Sequence, residues 1–156
     1  MSFMCNGCLA LREIDFSNVQ LENLANMSYM FSSCESLKKV NFSNLNTSNL
    51  INMSYMFNKC TSLEYINLSN FDTSKVKDMS YMFYKRTSLK KINLTNFNTN
   101  NVSDFSYMFS ECSSLKELNL SSFTQKDRSR AKNMFSNCKE LKKLDISNFG
   151  IKINPN

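Results

Sequence analysis

Apolar residues return along this chain at fixed places. The stretch MSYMF stands at 27–31, 53–57 and 79–83, a step of 26 residues each time. Extended in both directions, the step divides the chain into units 1–26, 27–52, 53–78, 79–104, 105–130 and 131–156, which account for all 156 residues. Self-similarity at such a period marks a stacked-repeat architecture, in which a unit buries its apolar side only against its neighbours. Position 4 of a unit is Met in all six, position 11 is Leu in all six, and position 5 is Phe except at Cys5. Position 14 reads Ile14, Val40, Ile66, Ile92, Leu118 and Leu144, and position 16 is apolar throughout.

Two periods sit inside each unit. Val76, Met79, Met82, Phe83 and position 8 fall at helical spacing, with Asp78 or Asp104 placed as an N-cap. This predicts a helix of barely two turns, from position 26 of one unit to about position 7 of the next, held by its neighbours. Leu89, Ile92 and Leu94 carry instead the leucine-rich-repeat spacing, which predicts a short strand around positions 13–16. The link 69–74 builds its turn from Asn, Asp, Ser and Thr, whose side chains bond nearby backbone. The expected fold is therefore α/β: a right-handed leucine-rich-repeat-like solenoid of six 26-residue coils, each with one short parallel strand and one short helix. The chain reads as one repeat domain cut from a longer array. Position 24 turns polar at Arg128 and Asn154 and residues 150–155 abandon the pattern, so a frayed or interface-covered N-terminus and an irregular tail are expected.

The stretches MFSECSSLKELNLSSF (108–123) and LSNFDTSKVKDMSYMF (68–83) resemble the BspA-like leucine-rich repeats, and most closely a mycoplasma-type 26-residue repeat family of unknown function. The resemblance covers the whole chain. It implies surface display or secretion, with adhesion or partner binding and no shared catalytic residues. No signal segment opens this chain, which leaves a cytoplasmic interaction scaffold as one alternative and a structural spacer of a surface protein as another.

Composition narrows the chemistry. The chain has no His, so Ser-His and Cys-His nucleophiles are excluded, and two glycines do not make a phosphate loop. No apolar run approaches a membrane span of about 20 residues. An enzyme, a cofactor and a metal site are not expected. Position 8 reads Cys8, Cys34, Cys60, Arg86, Cys112 and Cys138, a column of small buried thiols rather than ligands, since one Cys per coil is not zinc spacing. Cys5 and Cys8 form a lone C-x-x-C. Arg86 must reach water or an acid, and Glu111 is the nearest carboxylate in sequence register.

The net charge of +6 concentrates on positions 12 and 13, eight basic residues against three acidic. Position 15 is Asn or Asp and lies between the inward positions 14 and 16. The strand face is thus the expected partner surface, centred on Lys39, Asn41, Tyr65, Asn67, Lys91 and Asn93 in the middle coils. A protein segment or an acidic glycan suits it. Nucleic acid does not, because Glu13, Glu64 and Glu117 interrupt the stripe and no aromatic platform accompanies it. The rival surface is the column Tyr29, Tyr55, Tyr81 and Tyr107 at position 3, which either lies between coils or forms an exposed stripe.

Overall fold

The 26-residue step survives into three dimensions. The structure is a computed structural model describing residues 1–125 and 129–150. Its strands are β1 (Glu13–Asp15), β2 (Lys39–Asn41), β3 (Glu117–Asn119) and β4 (Lys143–Asp145). β1 pairs with β2 and β3 with β4, both parallel and both in the register of the repeat: Ile14 faces Val40 and Leu118 faces Leu144. A further line of parallel bridges joins Asn26, Asn52, Asp78, Asp104 and Arg130 at position 26. The chain is therefore a solenoid of stacked coils.

The expected helix does not form; among the described residues there is no helix. Positions 1–8 are instead a run of overlapping β-turns. Met56 N–H donates to Met53 C=O at 3.3 Å, Asn58 to Tyr55 at 3.1 Å and Cys60 to Phe57 at 3.3 Å. The intervening N–H groups leave the coil: Met53 donates to Asp78, Tyr55 to Ser80, Phe57 to Met82 and Lys59 to Tyr84, at 2.8–3.0 Å. The same pattern joins each coil to the next from coil 1 to coil 6. In every coil the residues at position 3 (Phe3, Tyr29, Tyr55, Tyr81, Tyr107, Asn133) and position 7 (Gly7, Ser33, Lys59, Lys85, Glu111, Asn137) adopt the left-handed backbone, with φ between 53° and 73°. This sign change ends each turn and redirects every second amide along the stack. Asp78 and Asp104 do accept the N–H two residues on, from Ser80 and Ser106 at 2.9 and 2.8 Å, so the capping chemistry serves a turn.

The inward residues explain the helical appearance of the pattern. Positions 1, 4, 5 and 8 are buried, as Met53, Met56, Phe57 and Cys60 show. In sequence this is the i, i+3, i+4, i+7 set of an amphipathic helix. A ladder of turns produces the same spacing.

Leu37, Leu63, Leu89 and Leu115 are fully buried, with Phe57, Phe83 and Phe109, as the repeat predicts. The corner after the strand adds a feature absent from that reading. The Thr73 hydroxyl accepts from the Asn98 N–H of the next coil at 2.8 Å and donates to the Asn98 C=O at 3.0 Å. Thr99 makes the same pair of bonds with Thr124. Thr73 and Thr99 are buried, so Thr73→Val strands one N–H and one C=O together. The expected cost is about 1–3 kcal/mol, read as a lower denaturant midpoint. Thr87 is exposed, and Thr87→Val, the comparison, should leave the midpoint unchanged.

The strand ladder is not continuous. Over 65–68 and 91–94 the backbone N–H groups make no bond to the next coil, and the two sheets stand apart with coils 3 and 4 between them. Arg86 belongs to coil 4, one of the two coils without a strand. It is fully buried beside the stacked rings of Phe57 and Phe83, its guanidinium carbon 5.9 and 5.7 Å from their centroids. Its Nη2 donates to the Leu63 C=O, while Nε and Nη1 have no partner. The expectation that Arg86 reaches water or Glu111 is overturned. Glu111 accepts from Tyr84 at 2.7 Å and sits 3.6 Å from Lys85.

The first coil is not frayed: Phe3, Cys5 and Gly7 donate to Ser28, Met30 and Ser32 at 2.8–3.0 Å. Its outer side leaves Phe3, Met4 and Leu9 exposed. The expected irregular tail (residues 151–155), Asn154 and Arg128 all lie outside the described residues.

Candidate functional site

Three surfaces carry the residues singled out by sequence. The strand face bears Lys39, Tyr65, Asn67, Lys91 and Asn93 exposed and Asn41 half-buried. Positions 13 and 15 do point outward. The middle coils are not, however, a continuous sheet, because Tyr65, Asn67, Lys91 and Asn93 belong to the unladdered segments. A recess of about 690 Å³ lies further along, over coils 4–6, bounded by Lys91, Asn93, Glu117, Asn119, Lys143 and Asp145. It takes in Lys91 and Asn93 but not Lys39, Asn41, Tyr65 or Asn67.

Two features lower the free charge and polarity of this face. Lys90 pairs with Glu64 at 2.8 Å and Lys91 with Glu117 at 3.3 Å, so the acidic interruptions neutralise basic neighbours one coil away. All four side chains are well exposed, and such pairs contribute only about 0–1 kcal/mol, so a ligand can reopen them. At position 15, each side-chain Oδ1 accepts the N–H two residues on: Asn41 from Ser43 at 3.0 Å, Asn67 from Ser69 at 3.0 Å and Asn93 from Thr95 at 3.1 Å. These Asx turns give position 15 a structural duty of ending the strand. What the asparagines offer a partner is chiefly the amide nitrogen.

The tyrosine column lies between the coils. Phe3, Tyr29, Tyr55, Tyr81 and Tyr107 stack in one line with ring centroids 4.4–4.6 Å apart and planes within 13°. The tyrosines are half-buried. Both faces of Tyr29, Tyr55 and Tyr81 are covered by neighbouring rings, leaving ring edges and hydroxyls to solvent. Tyrosines with both ring faces covered are a poor platform for a partner that binds by stacking. The stack also sustains the left-handed backbone beneath it. That conformation costs a non-glycine residue about 1–2 kcal/mol, and each aromatic pair returns about 0.5–1.5 kcal/mol beyond its buried area.

The thiol column behaves as expected of small buried groups and adds a hydrogen bond. Cys34, Cys60, Cys112 and Cys138 each donate from Sγ to a position-5 carbonyl of the preceding coil, at 2.9–3.1 Å. All six cysteines are free, Cys8 being exposed and Cys5 buried. Among the described residues no cluster of His, Cys, Asp or Glu suits a metal ion. Burial pushes the Cys34 and Cys138 thiols up to about 11 and those of Cys60 and Cys112 up to about 12.

The folded chain keeps these protons where the unfolded chain, with thiols near 9.0, gives them up. Their contribution to stability is complete below that value and is lost as pH rises through 11 to 12. Burial drives Arg86 the opposite way, down to about 10, so its contribution favours folding as pH rises past 10. One arginine opposes four thiols, and the urea midpoint is expected to fall between about pH 8 and about pH 11. An unchanged midpoint would contradict the buried thiol column.

Comparison with known proteins agrees with this architecture. A leucine-rich repeat protein of T. pallidum, 20% identical, superimposes with a TM-score of 0.60 over 89% of this chain and 58% of its own. A leucine-rich repeat protein of Bacteroides ovatus, 16% identical, gives 0.53 over 94% of this chain and 43% of its own. The chain thus spans about half the length of these structures, and the likeness is one of fold. No curated protein sequence matches the chain. Among the described residues no helix is long and apolar enough to cross a membrane. The family model described as "Mycoplasma protein of unknown function, DUF285" matches residues 1–93 and 66–153, and the chain, with its leucine-rich-repeat solenoid, belongs to that family.

Proposed function

We propose that this is a non-catalytic interaction module, displayed at the cell surface as part of a longer array, which binds an extended protein segment across its strand face. The supporting observation is the recess over coils 4–6, where Lys91, Asn93, Glu117, Asn119, Lys143 and Asp145 surround a floor that includes Ile92, Leu118 and Leu144. Solenoids use such extended surfaces for partners. Mixed charge over an apolar floor suits a polypeptide with alternating side chains better than an acidic glycan, which needs an unbroken basic surface. Tyr65, 64% exposed beside this region, is the aromatic anchor. Lys39, Asn41 and Asn67 extend the same face toward the first coils.

The test begins with a displayed peptide library panned against the immobilised chain, with heparin as the glycan probe. Asn67→Ala, Lys91→Glu and Asn93→Ala combined are expected to abolish capture of the selected peptides. Tyr55→Phe and Tyr81→Phe combined are expected to leave it intact. Normal binding by the folded strand-face variant, with loss in the tyrosine variant, would transfer the site to the other face. Retention on heparin that Lys91→Glu and Lys143→Glu remove, without peptide capture, would replace the protein partner by a glycan.

A further inference from the structure

The tyrosine column has a chemistry independent of any partner. We propose that Tyr29, Tyr55, Tyr81 and Tyr107 form an oxidative cross-linking site, in which a peroxidase-type one-electron oxidant joins tyrosines of adjacent coils as dityrosine. Three observations converge on it. Successive rings lie 4.4, 4.4 and 4.6 Å apart, near-parallel at 7°, 8° and 13°. Burial first, and then the phenols of Tyr29 and Tyr81, raise the Tyr55 pKa, so the neighbouring hydroxyls lie within electrostatic reach of one another along the stack. The column is only half-buried, which leaves ring edges and hydroxyls open to an oxidant.

Atoms and electrons balance. Each of two phenols gives one electron and its hydroxyl proton to the oxidant, which together reduce one hydrogen peroxide to two waters. The two phenoxyl radicals couple through the carbons ortho to oxygen. Their ring protons then move to the oxygens and restore both aromatic systems. The net change is the loss of two hydrogen atoms and the gain of one carbon–carbon bond between tyrosines of neighbouring coils. Stacking brings the reacting atoms together before oxidation, the advantage of any reaction whose partners are already in contact. Burial and the adjacent phenols raise the Tyr55 pKa, so the hydroxyl keeps its proton at neutral pH and leaves with the electron.

Tyr65 and Tyr84 are internal comparisons. Tyr65 stands alone and exposed, so it couples only between molecules. Tyr84 meets Tyr81 and Tyr107 edge-on at 5.4 and 6.4 Å, with its hydroxyl donated to Glu111. The four column tyrosines lie in four different tryptic peptides, so links between coils are separable by mass.

The experiment treats the folded chain, at a concentration too low for encounter between molecules, with horseradish peroxidase and limiting hydrogen peroxide. The expected product is a monomer lighter by two hydrogens, with dityrosine fluorescence and joined peptide pairs Tyr29–Tyr55, Tyr55–Tyr81 or Tyr81–Tyr107. Its thermal midpoint should rise, since the link closes a loop in the unfolded chain. Tyr55→Phe with Tyr107→Phe, which keeps the stack but leaves no adjacent phenols in it, should lose these pairs. Tyr81→Phe alone should leave only the Tyr29–Tyr55 link, and Tyr65→Phe should change nothing. Urea-unfolded chain should lose the preference for links between adjacent coils. Cross-links chiefly between molecules through Tyr65, inter-coil pairs that persist in the double Phe variant, or thiol oxidation with no dityrosine would each overturn the proposal.

Discussion

Arg86→Cys is expected to make the chain more stable, by about 1–4 kcal/mol. Single substitutions seldom stabilise, and the direction itself is the test. The reason is what the guanidinium lacks. It is fully buried, donates to the Leu63 carbonyl and leaves Nε and Nη1 without a partner. The two flanking rings supply cation–π contacts, each worth about 2 kcal/mol or slightly more when desolvated. Removing an ion from water costs several kcal/mol even after relaxation. Cys at this position fills the column in the other coils and donates its thiol to a position-5 carbonyl, as Cys60 does to Phe31 at 3.1 Å. Arg86→Cys restores that bond toward Phe57. It also releases the Leu63 carbonyl, two residues before the first unpaired segment, and segments 65–67 and 91–93 are expected to pair. The measurement is a denaturant titration with far-ultraviolet circular dichroism: the midpoint should rise and the β signal increase. A lower midpoint would show that the neighbouring coils are built around the guanidinium.

Leu89→Ala is the largest expected loss, about 2–5 kcal/mol. Leu89 is fully buried, one coil from each of Leu63 and Leu115, which are buried equally. A solenoid is stabilised by contacts between nearest neighbours. A cavity in coil 4 therefore weakens two coil interfaces, and the joint beside Arg86 is already interrupted. Leu11, at the same position in the first coil, is only partly buried. Leu11→Ala should cost less than half as much. Equal losses at the two sites would mean that the leucine column does not couple coil to coil. If Leu89→Ala gives two separate transitions, the break falls at the Arg86 joint.

The parts of this fold legible in the sequence are those that recur identically in every coil. Position 11 is readable as core by this rule; alternation also marks positions 13–15 as strand, and there coils 3 and 4 depart from it, forming no strand. Positions 1, 4, 5 and 8 are ambiguous, since helix and turn ladder bury the same set. A signal does separate them. The left-handed positions hold Gly7, Asn133 and Asn137 in the terminal coils, residue types that tolerate positive φ. In the middle coils the same positions hold Tyr, Ser, Lys and Glu, whose ordinary preferences hide the turn. The buried threonine ladder is hidden for a different reason. Thr47, Thr73 and Thr99 look like local turn residues, and only the stack shows that all three bond to the next coil. Arg86 stands out as an exception in its column, but its burial depends on neighbours one coil away on either side. On the strand face, sequence locates the outward side chains, while the recess over coils 4–6 follows from three-dimensional shape.

A continuous ladder of turns holds the coils together, while the strand face is open at its centre. Residue-resolved amide hydrogen exchange in the folded chain tests this claim directly. Met53, Tyr55, Phe57 and Lys59 in coil 3, and Met79, Tyr81, Phe83 and Lys85 in coil 4, donate to the next coil and should exchange slowly. Tyr65, Asn67, Lys91 and Asn93, with no bonded amide and exposed side chains, should exchange far faster. Slow exchange at these four residues, equal to that of the turn amides, would contradict the claim and restore an unbroken strand ladder.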